Sequence, residues 1–211
     1  MVMSADRGNY IVTFTGRAFY PMDPRPEEIS IYDIAHALAH TCRFGGHVRE
    51  FYSVAQHAVL CSYLVPLEFA LQALHHDDTE AYCGDMVRPL KSMLPAYQAV
   101  EAKIWCAVAD KFKLPLALNP LVKNADHIML RSEQRDLMHE SPIDGERFGY
   151  GDDETPRLSQ TIAPWNAKLA REGFMRRHKE LLSPGVRELR FSVVWPVRKN
   201  STVISPGPSV E

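Results

Sequence analysis

The spacing of apolar residues along the chain predicts a protein built mainly of amphipathic helices. Apolar residues at helical spacing follow Ser30, and Ser53 and Gln56 have the spacing of a capping box at the start of a second helix. Pro66 begins a third helix, which we expect to form a hairpin with the second and to end near Gly84. Longer helices are predicted further along, over about 95–113, around Asp126 and over about 164–182.

The two ends of the chain have a different pattern. Residues 10–14 are typical of a short strand or an extended arm, followed by a proline-rich turn that packs over a helical core. From about Pro184 onward the sequence changes to scattered basic, serine and proline residues, although 189–195 could pair as a strand. We therefore predict an all-α fold, with a single domain over 1–183 and a loose tail over 184–211.

The composition and net charge limit the classes of partner that we expect for this protein. The chain of 211 residues has 45% hydrophobic and 24% charged residues, which is ordinary for one soluble domain. Its net charge of −2 gives no global attraction to a nucleic-acid polymer or an anionic membrane. The N-terminus has no basic region followed by an apolar run, so we expect a cytoplasmic protein. The four cysteines have no C-x-x-C spacing and fall among apolar helical positions, which favours reduced, packed thiols.

Candidate chemistry begins with the adjacent pair His76 and Asp77. A histidine beside a carboxylate is costly to bury in an apolar helix unless a bound ion satisfies both groups. Two further donors lie on predicted helices. His57 borders an apolar stripe of Val54, Ala58, Cys61 and Val65. Asp126 lies in a helix whose predicted buried side is Leu121, Ala125, Ile128 and Met129.

The order His57, His76-Asp77, Asp126 resembles the H…HD…D signature of the HD-domain metal-dependent phosphohydrolases. Residues 76–91 are similar to the segment HD-x-x-E-x-x-x-G-D-x-x-x-P-x-K of bacterial 5′-deoxynucleotidases and phage dATP triphosphohydrolases. Residues 54–57 resemble the V-A-E-H start of the same proteins, with Gln56 in place of glutamate. The resemblance covers roughly residues 30 to 140.

The resemblance implies an HD-type helical bundle that holds one divalent ion, of Mn, Co, Mg, Ni, Fe or Zn. The implied metal ligands are His57, His76, Asp77 and Asp126. Catalytic roles fall to Glu80, which would orient or deprotonate a metal-bound water attacking phosphorus, and to Asp85, which would handle protons or order the site. The implied substrate-binding residues are Arg43, Phe44 and Lys91, and the implied partner is a small-molecule nucleotide. A homo-oligomer is also expected from the resemblance.

Departures from the family pattern leave the substrate open. His57 and His76 are only nineteen positions apart, so a lid or specificity loop found between them in relatives would be missing. Phe44 stands where the deoxynucleotidases carry a tryptophan that excludes a ribose 2′-hydroxyl. We expect 5′-deoxynucleotidase activity, with two alternatives: a deoxynucleoside triphosphate triphosphohydrolase, and a nucleotide-sensing HD module without turnover.

Neighbouring residues offer competing assignments. His75 and Asp78 flank the central pair, and an error of one residue in register would place them in the site instead. The spacing to the later acidic residues favours His76 and Asp77. His36 and His40 lie one helical turn apart without a matched carboxylate, so we interpret them as packing or surface residues. Glu80 and Asp85 could also be simple helix-end carboxylates, and Lys91 a solvated charge.

Overall fold

The structure, a computed structural model, describes residues 7–140 and 155–183 and confirms the all-α prediction. A two-stranded hairpin precedes eight helices in this part of the chain. The strands are β1 Ile11–Val12 and β2 Ala18–Phe19. The helices are α1 Ile31–His40, α2 Val54–Tyr63, α3 Leu67–His75, α4 Glu80–Cys83, α5 Arg88–Lys91, α6 Pro95–Phe112, α7 Pro120–Leu137 and α8 Ala167–Leu182. None of these helices combines the length and apolarity needed to cross a bilayer.

The N-terminal hairpin is the predicted extended arm, and it packs on the helices. The pairing is antiparallel, with Ile11 opposite Phe19. The turn is held to α1 because the backbone N–H and hydroxyl of Thr15 both donate to Asp33. Phe19 is fully buried and stacks on Tyr82, with 4.0 Å between ring centroids. The arm therefore covers one side of the helical core.

Helix α2 lies at the centre of the bundle and packs against α1, α3, α7 and α8. Ser53 caps its first turn by accepting from the backbone N–H of Gln56. The Gln56 side chain does not complete the capping box. Its amide donates to the carbonyl of Ala163 and accepts from the backbone N–H of Trp165. Glutamine at this position thus holds the segment before α8 against the start of α2. An ionised glutamate could accept the bond from Trp165, but it could not donate the bond to Ala163.

The predicted third helix is broken in the middle. Helix α3 ends at His75, and α4 begins only at Glu80. Between them the backbone N–H groups of Asp78 and Glu80 donate three residues back, to His75 and Asp77. Such i→i+3 bonds make a tighter turn than an α-helix and are common at functional positions. The sequence predicted a regular helix through His76 and Asp77. In the structure these two residues lie in a tight turn instead.

The buried face of α7 differs by one residue from the face predicted from the sequence. Leu121 is 44% exposed, whereas Val122 is fully buried. Val122, Ala125 and Met129 form a regular row at spacings of three and four residues, and this row faces the core. Leu121 lies beside that row and projects outward.

The ends of two predicted helices differ from those in the structure, and two further predictions fall outside the described residues. Helix α1 ends at His40, so Cys42 lies beyond it, in an isolated antiparallel bridge with Ser53. Helix α8 begins at Ala167, with Asn166 as its cap. The predicted polar loop falls largely in 141–154, and the tail with its candidate strand falls in 184–211, all outside the described residues.

A buried histidine pair joins α8 to the end of α3. The ring of His75 donates to Asp78, with 2.5 Å between Nδ1 and Oδ2, and its Nε2 lies 2.9 Å from Nδ1 of His178. Phe112 stacks on His75 at 4.4 Å between centroids. Burial, reinforced by His75, lowers the pKa of His178 to about 4. The ring of His178 is therefore neutral at neutral pH.

This neutral ring predicts acid sensitivity. Between about pH 4 and 6.5, His178 is protonated in the unfolded chain but stays neutral in the folded protein. The free energy of unfolding therefore falls as the pH is lowered through this range. We expect His178→Gln to remove about 2 kcal/mol of the fall between pH 7 and pH 5. Urea unfolding at pH 7 and pH 5 measures it, with the exposed His139→Gln as control. Equal pH dependence in wild type and His178→Gln would contradict the assignment.

Candidate metal centre

Four side chains from three parts of the fold bring their donor atoms together. Nε2 of His57 lies 3.4 Å from Nε2 of His76, 3.5 Å from Oδ2 of Asp77 and 3.2 Å from Oδ1 of Asp126. Nε2 of His76 lies 3.3 Å from Oδ2 of Asp77 and 4.0 Å from Oδ1 of Asp126. The structure therefore brings together all four metal ligands predicted from the sequence.

These distances fit donors around one ion. Ligands about 2.1 Å from a metal are separated by about 3.0 Å at right angles and about 3.4 Å at the tetrahedral angle. The five measured separations, 3.2 to 4.0 Å, match or slightly exceed these values. The histidine side chains are nearly buried, while those of Asp77 and Asp126 are 21% and 38% exposed. The donor set could hold a divalent metal and opens to solvent on its carboxylate side.

Each histidine is oriented by the nitrogen that does not face the cluster. Nδ1 of His57 lies 2.6 Å from Oε1 of Glu133, and Nδ1 of His76 lies 2.8 Å from the carbonyl oxygen of Ala73. Both acceptors require a hydrogen on Nδ1. A neutral ring then carries its lone pair on Nε2, which is the arrangement that a metal ligand needs.

Glu133 is a buried contact of the candidate site that the sequence pattern does not single out. It is fully buried and bridges two groups of the site: its Oε1 accepts from His57, and its Oε2 lies 3.1 Å from NH2 of Arg43. NH1 of Arg43 in turn lies 3.5 Å from Oδ2 of Asp77. The sequence feature that could have identified Glu133 is its spacing from Asp126. It lies seven residues later on α7, which is two helical turns along the same face.

The charges of the cluster favour a bound cation. Burial and Arg43 act to lower the pKa of His57, but Cys61, Glu133 and Asp126 outweigh them and raise it well above its ordinary value. Burial likewise opposes ionisation of Asp126, yet its hydrogen bond to His57 holds the pKa of Asp126 well below the usual range. The surroundings thus stabilise positive charge among these donors. A metal ion would take over that role from the proton, so its binding must weaken in acid.

Two more carboxylates predicted from the sequence lie in the same electrostatic environment. Burial, Asp77 and Asp85 raise the pKa of Glu80 well above its ordinary value, and its Oε2 is buried without a hydrogen-bond partner among the described residues. Burial raises the pKa of Asp85 as well, with Arg43 opposing the rise and Asp77 adding to it. A buried carboxylate oxygen without a partner is unusual, and it fits a site that receives a further group.

Arg43 and Phe44 sit in a short 3₁₀ turn that follows α1. The backbone N–H of Arg43 donates to the carbonyl of Tyr52, which fixes the turn beside α2. Phe44 has φ 57° and ψ 29°, a left-handed conformation that costs a non-glycine residue about 1 kcal/mol or more. Its ring centroid lies 5.2 Å from the Arg43 guanidinium carbon. The strained turn thus places an aromatic ring beside the arginine of the site.

Lys91 is partly buried and pairs with Glu101, with 2.5 Å between Nζ and Oε1. Burial acts to lower the pKa of Lys91, but Glu101 and the more distant Glu80 outweigh it and raise the pKa. The lysine therefore stays charged on the side of the centre where Glu80 lies. Its Nζ is shared with Glu101, which the sequence analysis did not foresee.

Cys61 adds a donor that the sequence analysis treated as packing. Its Sγ lies 3.4 Å from Nε2 of His57, and the donor atoms of Cys61, His57, His76 and Asp126 all lie within 4.8 Å of one another. Burial raises the pKa of the thiol to about 11. The signal was the spacing of four residues between His57 and Cys61, which puts both on one face of α2.

The competing histidines lie elsewhere. His75 and Asp78 bond to each other in the core, so the register with His76 and Asp77 in the cluster is the one the fold adopts. His36 stacks between Phe14 and His40, with centroid separations of 3.7 and 4.2 Å. These two histidines therefore pack against each other and a phenylalanine, as the sequence analysis expected.

The Glu133 contacts predict an effect on metal affinity. Glu133→Gln keeps an oxygen for His57 but removes the negative charge behind the site, so we expect Zn²⁺ to bind about 10- to 100-fold more weakly. Glu133→Ala also leaves Arg43 without its buried partner and should lose about 3–5 kcal/mol of stability. Competition with a colorimetric chelator measures the first effect and urea unfolding the second.

The matched control for this experiment is Glu140→Gln, which changes an exposed glutamate just beyond α7. It should leave Zn²⁺ affinity and stability unchanged. A folded Glu133→Gln protein with wild-type affinity would show that Glu133 does not support the centre.

Comparison with known proteins places the chain among uncharacterized relatives. Models of known protein families do not match it. It is 53% identical over 129 residues to the uncharacterized protein YfdR of Escherichia coli (strain K12), covering 61% of this chain and 72% of the relative. It is 32% identical over 184 residues to the uncharacterized protein RCAP_rcc00048 of Rhodobacter capsulatus, covering 80% of this chain and 93% of the relative. The chain therefore belongs to the same protein family as YfdR and RCAP_rcc00048.

Proposed function

We propose that this protein is an HD-type metal-dependent phosphohydrolase that cleaves phosphate from nucleotides, with 5′-deoxynucleotidase activity as the leading assignment. The observation that carries the proposal is the convergence of His57, His76, Asp77 and Asp126, with five donor separations of 3.2 to 4.0 Å. Glu80, which interacts with the charge of Asp77, has a buried oxygen without a hydrogen-bond partner among the described residues. We further expect the enzyme to work in the cytoplasm on small-molecule nucleotides.

The four donor side chains would bind the metal ion in this mechanism. A divalent ion held there would polarise a phosphoryl oxygen and lower the pKa of a bound water. The two histidines offer neutral Nε2 lone pairs because their Nδ1 hydrogens are committed to Glu133 and Ala73. Asp77 and Asp126 supply the negative charge, and their partial exposure leaves the approach for substrate on their side.

Glu80 supplies the proton acceptor in this proposal. Its raised pKa makes it a stronger base than an exposed glutamate, and its Oε2, which none of the described residues hydrogen-bonds, is available to a water attacking phosphorus. Asp85 contributes negative charge to the same surroundings, and we assign it to ordering Glu80 and passing the proton on. The leaving alcohol or phosphate takes a proton from this carboxylate pair or from solvent.

Arg43 supplies phosphate recognition. Its Nε and NH2 face Glu133, while NH1 is directed toward Asp77. A guanidinium has five N–H donors, so hydrogens not used by these carboxylates remain for a phosphoryl oxygen. Phe44 lies beside it, and we propose that its ring bounds the sugar or base. Lys91 adds charge at longer range from its pair with Glu101.

Two alternatives share the same centre. A triphosphohydrolase would use these residues on the α-phosphate of a deoxynucleoside triphosphate. A nucleotide sensor would keep the ligands and bind without turnover, but it has no need for a buried base. Burial of the Glu80 Oε2 atom costs free energy because it has no hydrogen-bond partner in the part of the chain that the structure describes, and this favours a catalytic role over sensing alone.

Product analysis distinguishes these functions. Deoxynucleoside mono-, di- and triphosphates are incubated with Mn²⁺, Co²⁺, Mg²⁺ or Zn²⁺, and phosphate, pyrophosphate and tripolyphosphate are separated. We expect orthophosphate from the monophosphates, because a single centre with one arginine fits one phosphoryl group. The variant His76→Ala/Asp77→Ala should lose this activity together with its metal.

Other products would revise the proposal in defined ways. Tripolyphosphate from a triphosphate would establish the triphosphohydrolase alternative. A wild-type protein that binds metal and nucleotide without turnover would establish the sensor. Failure to hydrolyse or bind any nucleotide with any of the four metals would contradict nucleotide chemistry at this centre.

Glu80→Gln separates catalysis from metal binding. The variant removes the proton acceptor while retaining the shape of the side chain, so we expect kcat to fall by about 10²–10⁴-fold with Zn²⁺ affinity retained. Glu68→Gln, an exposed residue in the first turn of α3, is the matched control and should behave as wild type. A kcat near wild type in Glu80→Gln would exclude Glu80 as the base.

A further inference from the structure

The thiol of Cys61 lies at the edge of the candidate metal cluster. Cys61 is fully buried in α2, and its Sγ lies 3.4 Å from Nε2 of His57, the nitrogen that faces the metal cluster. Its separations from the donor atoms of His76 and Asp126 are within 4.8 Å. The sulfur is therefore close to three of the donors of the proposed ion, those of His57, His76 and Asp126.

Cys83 shows what a packing thiol looks like in the same protein. Its Sγ donates to the carbonyl oxygen of Thr79, four residues earlier in the chain and 3.1 Å away. That bond satisfies a thiol within its own helix. Cys61 also has a residue four positions earlier, His57, but its sulfur meets the imidazole nitrogen of that residue. The contrast indicates that the position of the Cys61 sulfur is related to the centre.

The measured separation suits a shared ion. With metal–nitrogen and metal–sulfur distances of about 2.1 and 2.3 Å, a nitrogen and a sulfur bound to one metal are about 3.1 Å apart at right angles and about 3.6 Å apart at the tetrahedral angle. The 3.4 Å between Nε2 of His57 and Sγ of Cys61 falls between these values.

We propose that the Cys61 thiolate is a fifth protein ligand of the metal centre and that it makes the centre select Zn²⁺, Co²⁺ or Fe²⁺ over Mg²⁺ and Mn²⁺. The inference rests on the metal centre of the proposed function but not on its hydrolytic activity. On binding, the metal–sulfur bond forms as the S–H bond breaks, and the proton leaves to solvent. Thiolate is a soft ligand that borderline ions accept and hard ions do not.

The charges allow this ligand. Asp77, Asp126 and the Cys61 thiolate together carry one negative charge more than a divalent ion neutralises. Arg43, whose NH1 lies 3.5 Å from Oδ2 of Asp77, offsets part of this excess, because its guanidinium is shared with the buried carboxylate of Glu133. Five protein donors leave one position of an octahedron open, so either a water or a phosphoryl oxygen, and not both at once, binds the ion while Cys61 is coordinated.

Cobalt titration of the wild-type protein tests the proposal directly. Metal-free protein is titrated with Co²⁺ alone, and absorption is followed in the near ultraviolet, where thiolate-to-cobalt charge transfer appears and nitrogen or oxygen ligands give none. We expect this band to rise to one equivalent. It should be lost in Cys61→Ser and kept in Cys106→Ser, which changes an exposed cysteine on α6.

X-ray absorption of the Zn²⁺-loaded wild type gives a second readout that requires no variant. We expect one sulfur at about 2.3 Å beside nitrogen and oxygen ligands at about 2.0–2.2 Å. Competition titrations complete the test. Cys61→Ser and Cys61→Ala should lower the ratio of Zn²⁺ to Mn²⁺ affinity about tenfold or more.

The outcomes separate this inference from the proposed function. Bound Co²⁺ without a charge-transfer band, or a band that persists in Cys61→Ser, overturns the role of Cys61 and leaves the four-ligand centre intact. Folded protein that binds neither Co²⁺ nor Zn²⁺ overturns both. A thiolate-ligated centre that hydrolyses no nucleotide supports the role of Cys61 and overturns only the proposed function.

Discussion

Glu133 and Arg43 form a buried ion pair in the middle of the bundle, and His57 donates to the same carboxylate. Taking these charges out of water is costly, and the arrangement is stable only while each group keeps its partners. Burial alone would raise the pKa of Glu133, but Arg43 and then His57 hold it below its ordinary value. The three residues come from α7, the turn after α1, and α2. The position of the first metal ligand therefore depends on contacts among three distant parts of the chain.

The break between α3 and α4 divides four consecutive polar residues between two environments. His75 and Asp78 bond to each other in the core and reach His178 on α8. His76 and Asp77 face the cluster instead. A tight turn with i→i+3 bonds makes this division possible, because it changes the direction of successive side chains over a few residues. One short segment thus fastens α8 to the bundle and supplies half of the candidate centre.

The surroundings of the centre combine repulsion and attraction. Burial and the charge of Asp77 raise the pKa of both Glu80 and Asp85, while Arg43 opposes the rise at each carboxylate. Such a set of acidic groups is more stable with a cation among them than without one. The strained backbone of Phe44 lies next to the same arginine. Strain, crowded charge and a carboxylate oxygen without a partner within 7–140 and 155–183 occur together at one place, as is common at sites under functional selection.

The periodicity of apolar residues predicted the longer helices and most of their ends, but not the break between α3 and α4 or the short α5, because it reports local spacing and capping only. The serine cap of α2 and the extent of α6 were both predicted closely. The order and spacing of His57, His76, Asp77 and Asp126 likewise identified four side chains that the fold brings together. These features are encoded in short segments, so the sequence could be interpreted without knowledge of the packing.

Other features depend on how the helices are rotated and packed, which no short segment encodes. The tight turn at His76 follows from packing, because residues 75 and 78 find their partners in the core. Glu133 and Cys61 looked like an ordinary helical glutamate and a packed thiol until α7 and α2 were placed side by side. The sequence by itself determined which residues could bind a metal. Only the tertiary structure decided which buried groups surround them, because that depends on contacts between residues far apart in the chain.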